Sequence, residues 1–267
     1  MNKIYYILVL LFLAGCEKVI DVDLNEASPE IVIEGNLNAR SGELEVKISK
    51  TGSYFGNDEL QKVNDATVFF ENHSGAVFPV DETADGVYQK NNLQVQPGNE
   101  YRLLVEVEGV EYSARSFLNT EIPIDSLSYR LYDRIAFFDR GYRLMLYFSD
   151  PPEVENFYRV KVYKNDTLQN DVSDLVVFDD TGLNGKYVEV TLRGQRFDEG
   201  DTARVEFLTL DKSVYEYFSS LRELANTNPG SPAPANPISN FSNGALGYFS
   251  AWSYDSRDIV IENSRNY

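Results

Sequence analysis

Cysteine, histidine and tryptophan each occur once in 267 residues. A single thiol allows no disulfide within the chain, so the core must hold by burial alone. One histidine and one cysteine also exclude a zinc site built mainly on imidazole or thiolate. Positive charge is scarce: 24 Lys and Arg stand against 42 Asp and Glu, a formal net charge of −18. Nucleic acid and anionic lipid surfaces are both gripped through basic patches, so neither fits as a partner. There is no Gly-x-Ser-x-Gly nucleophile elbow and no glycine-rich phosphate cradle. Long apolar runs are missing as well, apart from Ile4 to Leu13. A membrane-spanning helix needs about twenty such residues.

That short run has the length of a secretory signal core, with Lys3 as its positive flank. It ends in Leu13-Ala14-Gly15-Cys16, which looks like a bacterial lipobox. Small residues admit the backbone to a peptidase cleft, and the Cys16 thiol is the nucleophile on which diacylglycerol is installed. The expectation is a leader over 1–15, cleavage between Gly15 and Cys16, and acylation of Cys16. Two or three acyl chains give stable anchoring where one is marginal. Residues 16–29 read as an acidic tether, long enough to reach roughly 40 Å if extended.

Aromatic residues make up 13% of the chain, which suits a β-rich protein. From Glu30 onward apolar residues alternate with polar ones, as in Leu44, Val46 and Ile48 or Leu103, Val105 and Val107. Period two means strands with one buried face. Turn signals at Ser41-Gly42, Asp85-Gly86 and Pro97-Gly98 separate them. Short strands at this spacing predict a β-sandwich over 30–121, resembling prealbumin-like or Ig-like sandwiches. Pro123 is the expected linker, and strands resume beyond it as a second sandwich over 122–267. One segment departs from alternation. Val214, Tyr217, Phe218, Leu221 and Leu224 fall on one helical face, predicting a helix over 211–226. Ser213 with Glu216 has capping-box spacing, and Asp211 competes as N-cap. A last strand pair is expected near 244–252 and 257–262. The fold class is therefore all-β: two sandwiches with one short helix near the C-terminus.

Candidate chemistry is sparse. His73 lies between two strand-like runs, where a hairpin tip is expected, and no serine is marked as its nucleophile. Asp179, Asp180 and Asn184 form the most calcium-like segment, but without the alternating spacing or terminal Glu of an EF-hand loop. A plain turn is the expectation, with no metal and no cofactor. Carboxylates are numerous enough for a glycosidase pair, but that pairing is spatial and sequence does not locate it. The stretch from Pro237 is more distinctive. Asn240, Phe241, Asn243, Tyr248, Phe249 and Trp252 combine amides with a dense aromatic cluster. Exposed, they would make a platform for a sugar, a peptide or a partner protein. Buried, they would be the rings of a closing strand pair whose loop is pinned by asparagine side chains, and this is the reading preferred.

The helix Tyr215 to Leu221, the proline-rich loop and Asn240 to Phe249 together resemble the closing signature of a Bacteroidota lipoprotein family, domain of unknown function 4249. Cys16 to Leu24 resembles that family's mature N-terminus. The resemblance implies a lipid-anchored outer-membrane protein, often accompanied by a TonB-dependent transporter, with no assigned catalytic residues. Glu17-Lys18 with Asp21 and Asp23 is similar to charged signals that direct such lipoproteins to the cell surface. Asp125-Ser126, Asp166-Thr167 and Asp201-Thr202 resemble O-glycosylation acceptors. The expected role is a non-enzymatic accessory or substrate-capture partner of a TonB-dependent barrel. A structural or adhesive surface protein is the alternative, and a carboxylate glycosidase a third.

Overall fold

The computed structural model describes residues 29–52, 60–133, 140–152, 154–225 and 236–262. The leader, Gly15, Cys16 and the tether up to residue 28 lie outside these. The described chain is all-β with a single α-helix.

Eight strands come first: β1 Ile31–Asn38, β2 Glu43–Lys50, β3 Gln61–Lys62, β4 Thr67–Glu71, β5 Val77–Ala84, β6 Val87–Lys90, β7 Asn99–Val107 and β8 Val110–Leu118. Alternation dictates their packing. Leu44, Val46 and Ile48 of β2 face Leu103 and Val105 of β7 in one core. β5 belongs to both layers, pairing with β4 through Val77–Val80 and with β6 through Asp81–Ala84. His73 does lie on the β4–β5 connection, which is closed by hydrogen bonds between Asn72 and Ala76.

The second set is β9 Ser126–Tyr132, β10 Gly141–Ser149, β11 Phe157–Lys164, β12 Thr167–Leu168, β13 Val176–Asp179, β14 Tyr187–Phe197, β15 Thr202–Leu210 and β16 Leu246–Val260. β14, β10 and β9 form a separate three-stranded sheet. It packs against β11, β15, Ile259 and Ile261, burying Leu144, Leu146, Phe148, Tyr158 and Phe207.

β16 joins the two halves. Its first seven residues run parallel to β1, from Val32 beside Leu246 to Asn38 beside Trp252. Its remainder runs antiparallel to β15, from Thr209 beside Ser253 to Thr202 beside Val260. One continuous strand therefore replaces the expected pair near 244–252 and 257–262. The gap expected between them, Ser253 to Ser256, is paired strand, in register with Thr209 to Glu206 of β15. Phe241, Ala245, Phe249 and Ala251, assigned by sequence to the 122–267 sandwich, sit in the core of the first. Ile122 and Ile124, on either side of Pro123, are buried in the second core. The Ile124 N–H donates to Asp255 at 2.9 Å, so the linker is tied to β16.

Helix α1 spans Lys212–Ala225. Asp211 wins the competition for its N-cap: Oδ1 accepts from the Val214 N–H at 3.1 Å and from the Ser213 hydroxyl at 2.6 Å. The other Asp211 oxygen accepts from Ser116 of β8, whose Oγ also accepts the Ala251 N–H at 2.8 Å. One carboxylate thus fixes the helix start to both β8 and β16. Val214, Tyr217 and Phe218 pack on Phe157, Leu208, Tyr248 and Trp252, covering the outer face of the joined sheet.

Candidate functional site

Most of the distinctive C-terminal stretch is built into the fold. Asn240 Nδ2 donates to the Phe249 carbonyl and its Oδ1 accepts the Phe249 N–H, both at 2.9 Å, as a neighbouring strand would. Asn243 takes a left-handed backbone at φ 55°, and its Nδ2 donates to the Glu111 carbonyl at 2.7 Å. Phe241 and Phe249 are buried. Asn240 and Phe241 do line an open concavity, but its charges are already matched: Arg115 meets Glu100 at 2.6 Å and Lys212 meets Glu155 at 3.4 Å.

The calcium-like segment is likewise occupied by protein donors. Asp179 accepts from the Thr181 N–H at 3.1 Å and the Tyr215 hydroxyl at 3.3 Å. Asp180 accepts from the Asn156 N–H at 3.0 Å, and Asn184 lies on the same turn. Among the described residues no group of three His, Cys, Asp or Glu side chains is arranged to hold a metal ion. His73 packs edge-on to Tyr101, with ring centroids 6.2 Å apart.

Tyr248 and Trp252 have a different fate, and they lead to a site that sequence reasoning missed. Even-numbered residues of β11 face the second core, so Arg159 and Lys161 share the opposite face. There α1 and the segment from Leu168 to Leu175 rise beside them, while Glu34, Asn36 and Lys47 approach from the first sandwich. Together they enclose a cavity of about 320 Å³. This is the lower end of the range for small-molecule sites. The Arg159 guanidinium lies 4.0 Å from the Phe218 ring centre, and Lys161 Nζ lies 4.5 Å from that of Trp252. Tyr248 stacks obliquely on Tyr217 and Phe218, each 4.8 Å away, and its hydroxyl donates to Asn36 at 3.2 Å.

Neither cation forms an ion pair with a described residue, and Arg159 Nε is buried without a hydrogen-bond partner. Glu206 is opposite Lys161 across the β11–β15 ladder, but it accepts from the Tyr163 hydroxyl at 3.1 Å. Lys47 is paired with Glu45 at 2.9 Å. Each unpaired cation keeps part of its surface open to the cavity, while protein on the other sides strips away solvent. Burial pulls the Lys161 ammonium down to about 8, and the adjacent Arg159 charge adds to the effect. Burial also lowers Arg159, which remains a cation because a guanidinium starts far above neutrality. Burial raises the Tyr248 and Tyr217 hydroxyls, so both stay neutral donors.

The family model described as Domain of unknown function (DUF4249) matches residues 17–258. The chain belongs to this family. The match covers β1 to β15, α1, all but the last two residues of β16 and every residue of the cavity in this DUF4249 chain. No curated protein matches it. Within the DUF4249 sequence, Arg159 and Lys161 gave no signal of their own. Charges at alternate positions of a strand ordinarily mark a solvated face, and only the helix and the β1–β16 seam bring them under cover.

Proposed function

We propose that the protein is a lipid-anchored outer-membrane lipoprotein, held at the cell surface through Cys16. In this reading its folded body captures a small ligand for a TonB-dependent transporter barrel and catalyses no reaction. The observation that carries the reading is the cavity beside the β16 seam, where two cations stand without an ion pair to any described residue of a strongly acidic protein. A spacer or adhesive rod needs no such pocket, and each buried unpaired charge works against folding. Support for the anchor comes from Leu13-Ala14-Gly15-Cys16 behind a short apolar run.

The test is recovery of the acylated protein from its native membrane in mild detergent, with mass spectrometry of what accompanies it. A stoichiometric β-barrel is the expected result. Recovery alone, repeated after crosslinking, would remove the transporter role and leave the structural or adhesive one. Fatty-acid labelling checks the anchor separately: Cys16→Ala should abolish incorporation and release the protein from the membrane fraction.

A further inference from the structure

The geometry points to a specific ligand chemistry: we infer that the cavity between β11 and α1 binds a monosaccharide-sized organic carboxylate. This deepens the ligand-capture reading and rests on it.

Supply of partners is not the reason the two cations are unpaired. With 42 carboxylates in the chain, partners for Arg159 and Lys161 are abundant, yet the nearest in register, Glu206, is turned to a tyrosine. Two cations at positions i and i+2 of one strand face repel each other, and an anion between them relieves both the repulsion and the lost hydration. Arg159 lines the cavity with a planar guanidinium, whose fork suits a carboxylate, and the Lys161 ammonium beside it adds a point charge. The remaining walls fit a polar, hydroxylated body. Asn36, Gln169 and Asn170 provide amides, and Tyr217, Phe218 and Tyr248 provide ring surface. Three acidic residues, Glu34, Asp171 and Asp174, also border the cavity. They disfavour a dianion such as a phosphate ester, so a single negative charge is selected.

Trp252 makes the inference testable without a label. It is the only tryptophan and lies against Lys161. Full-length protein in mild detergent is titrated with glucuronate, glucose and glucose 6-phosphate at constant ionic strength, following indole emission. Glucuronate should give a saturable change, with glucose at least about tenfold weaker, since a charged hydrogen-bonded contact is lost. Arg159→Gln and Lys161→Met should each weaken glucuronate by a similar factor, with circular dichroism checking that both variants fold. Binding should also fall as pH rises past about 8, where Lys161 loses its proton. The groups facing it are Arg159 on its own strand, Glu206 on β15, Tyr248 on β16, Tyr217 on α1, Glu34 and Lys47 from the first sandwich, and the two wall aspartates.

Equal response to glucose and glucuronate would overturn the inference, as would no saturable response to glucuronate. A response to glucose 6-phosphate alone would replace the carboxylate with a phosphate site. These readouts use the isolated protein. A failure here leaves the anchor and barrel experiments standing, and their failure leaves this one interpretable.

Discussion

A lysine that rests on an indole ring and forms no ion pair with a described residue is less stable as a cation in the folded protein than in water. The sign of the resulting pH effect follows from proton counting. Lys161 falls to about 8 in the fold, below the ordinary lysine value, so between these limits the unfolded chain binds more protons. Stability should therefore rise from pH 8 towards 10, the reverse of what a salt-bridged lysine would give. Above about pH 10 the raised hydroxyls of Tyr163 and Tyr217 oppose further gain, because the unfolded chain releases those protons first. Lys161→Met should remove the rise and stabilise the protein at pH 7 by about 1–3 kcal/mol. Chemical denaturation of both proteins at pH 7, 8, 9 and 10 checks it. A variant that gains stability while losing glucuronate binding would identify Lys161 as a residue kept for a ligand at the fold's expense.

At the scale of elements, the seam between β1 and β16 depends on close backbone approach. Gly247 adopts φ +99°, and a Cβ there would stand 2.0 Å from the Ile33 carbonyl oxygen. Any side chain both strains the backbone and pushes the strands apart, so Gly247→Val should lower stability by several kcal/mol or prevent folding. Phe249 contacts Gly35 from the next turn of the pleat and is fully buried. Phe249→Ala should cost about 3–5 kcal/mol, measured by urea denaturation. The strands themselves were legible. Leu44, Val46 and Ile48 announce β2 by alternation, and Val214, Tyr217 and Phe218 announce α1 by helical spacing. What the sequence concealed was partnership. Nothing local tells Leu246–Trp252 that its neighbour is Val32–Asn38, because a parallel pairing leaves no turn between the strands to mark it. The same gap hid the cavity. Tyr248 and Trp252 stood out as aromatics, but their companions Arg159 and Lys161 lie on another strand, on a face that looked solvated.

For the whole molecule, sharing one strand ties the two cores into one cooperative body. β16 is a paired strand of both sandwiches, and Asp255 holds the Pro123 linker to it. Neither half can lose this strand without opening the other. Calorimetry should show a single unfolding transition with matching calorimetric and van't Hoff enthalpies, where two loosely linked sandwiches would show two. Hydrogen exchange should place β1, β15 and β16 in the same slowest class.

The placement of residue 32 beside residue 246 also bears on how the protein is made. Domains commonly fold in the order in which they leave the ribosome. Here the first sandwich is missing a strand until Leu246–Trp252 is synthesised, and that edge of β1 waits unpaired until then. A chain cut short anywhere before Leu246 leaves that edge exposed, an open template for pairing with another copy. The fold thus checks its own synthesis: the first half closes only once the chain has been translated through Trp252.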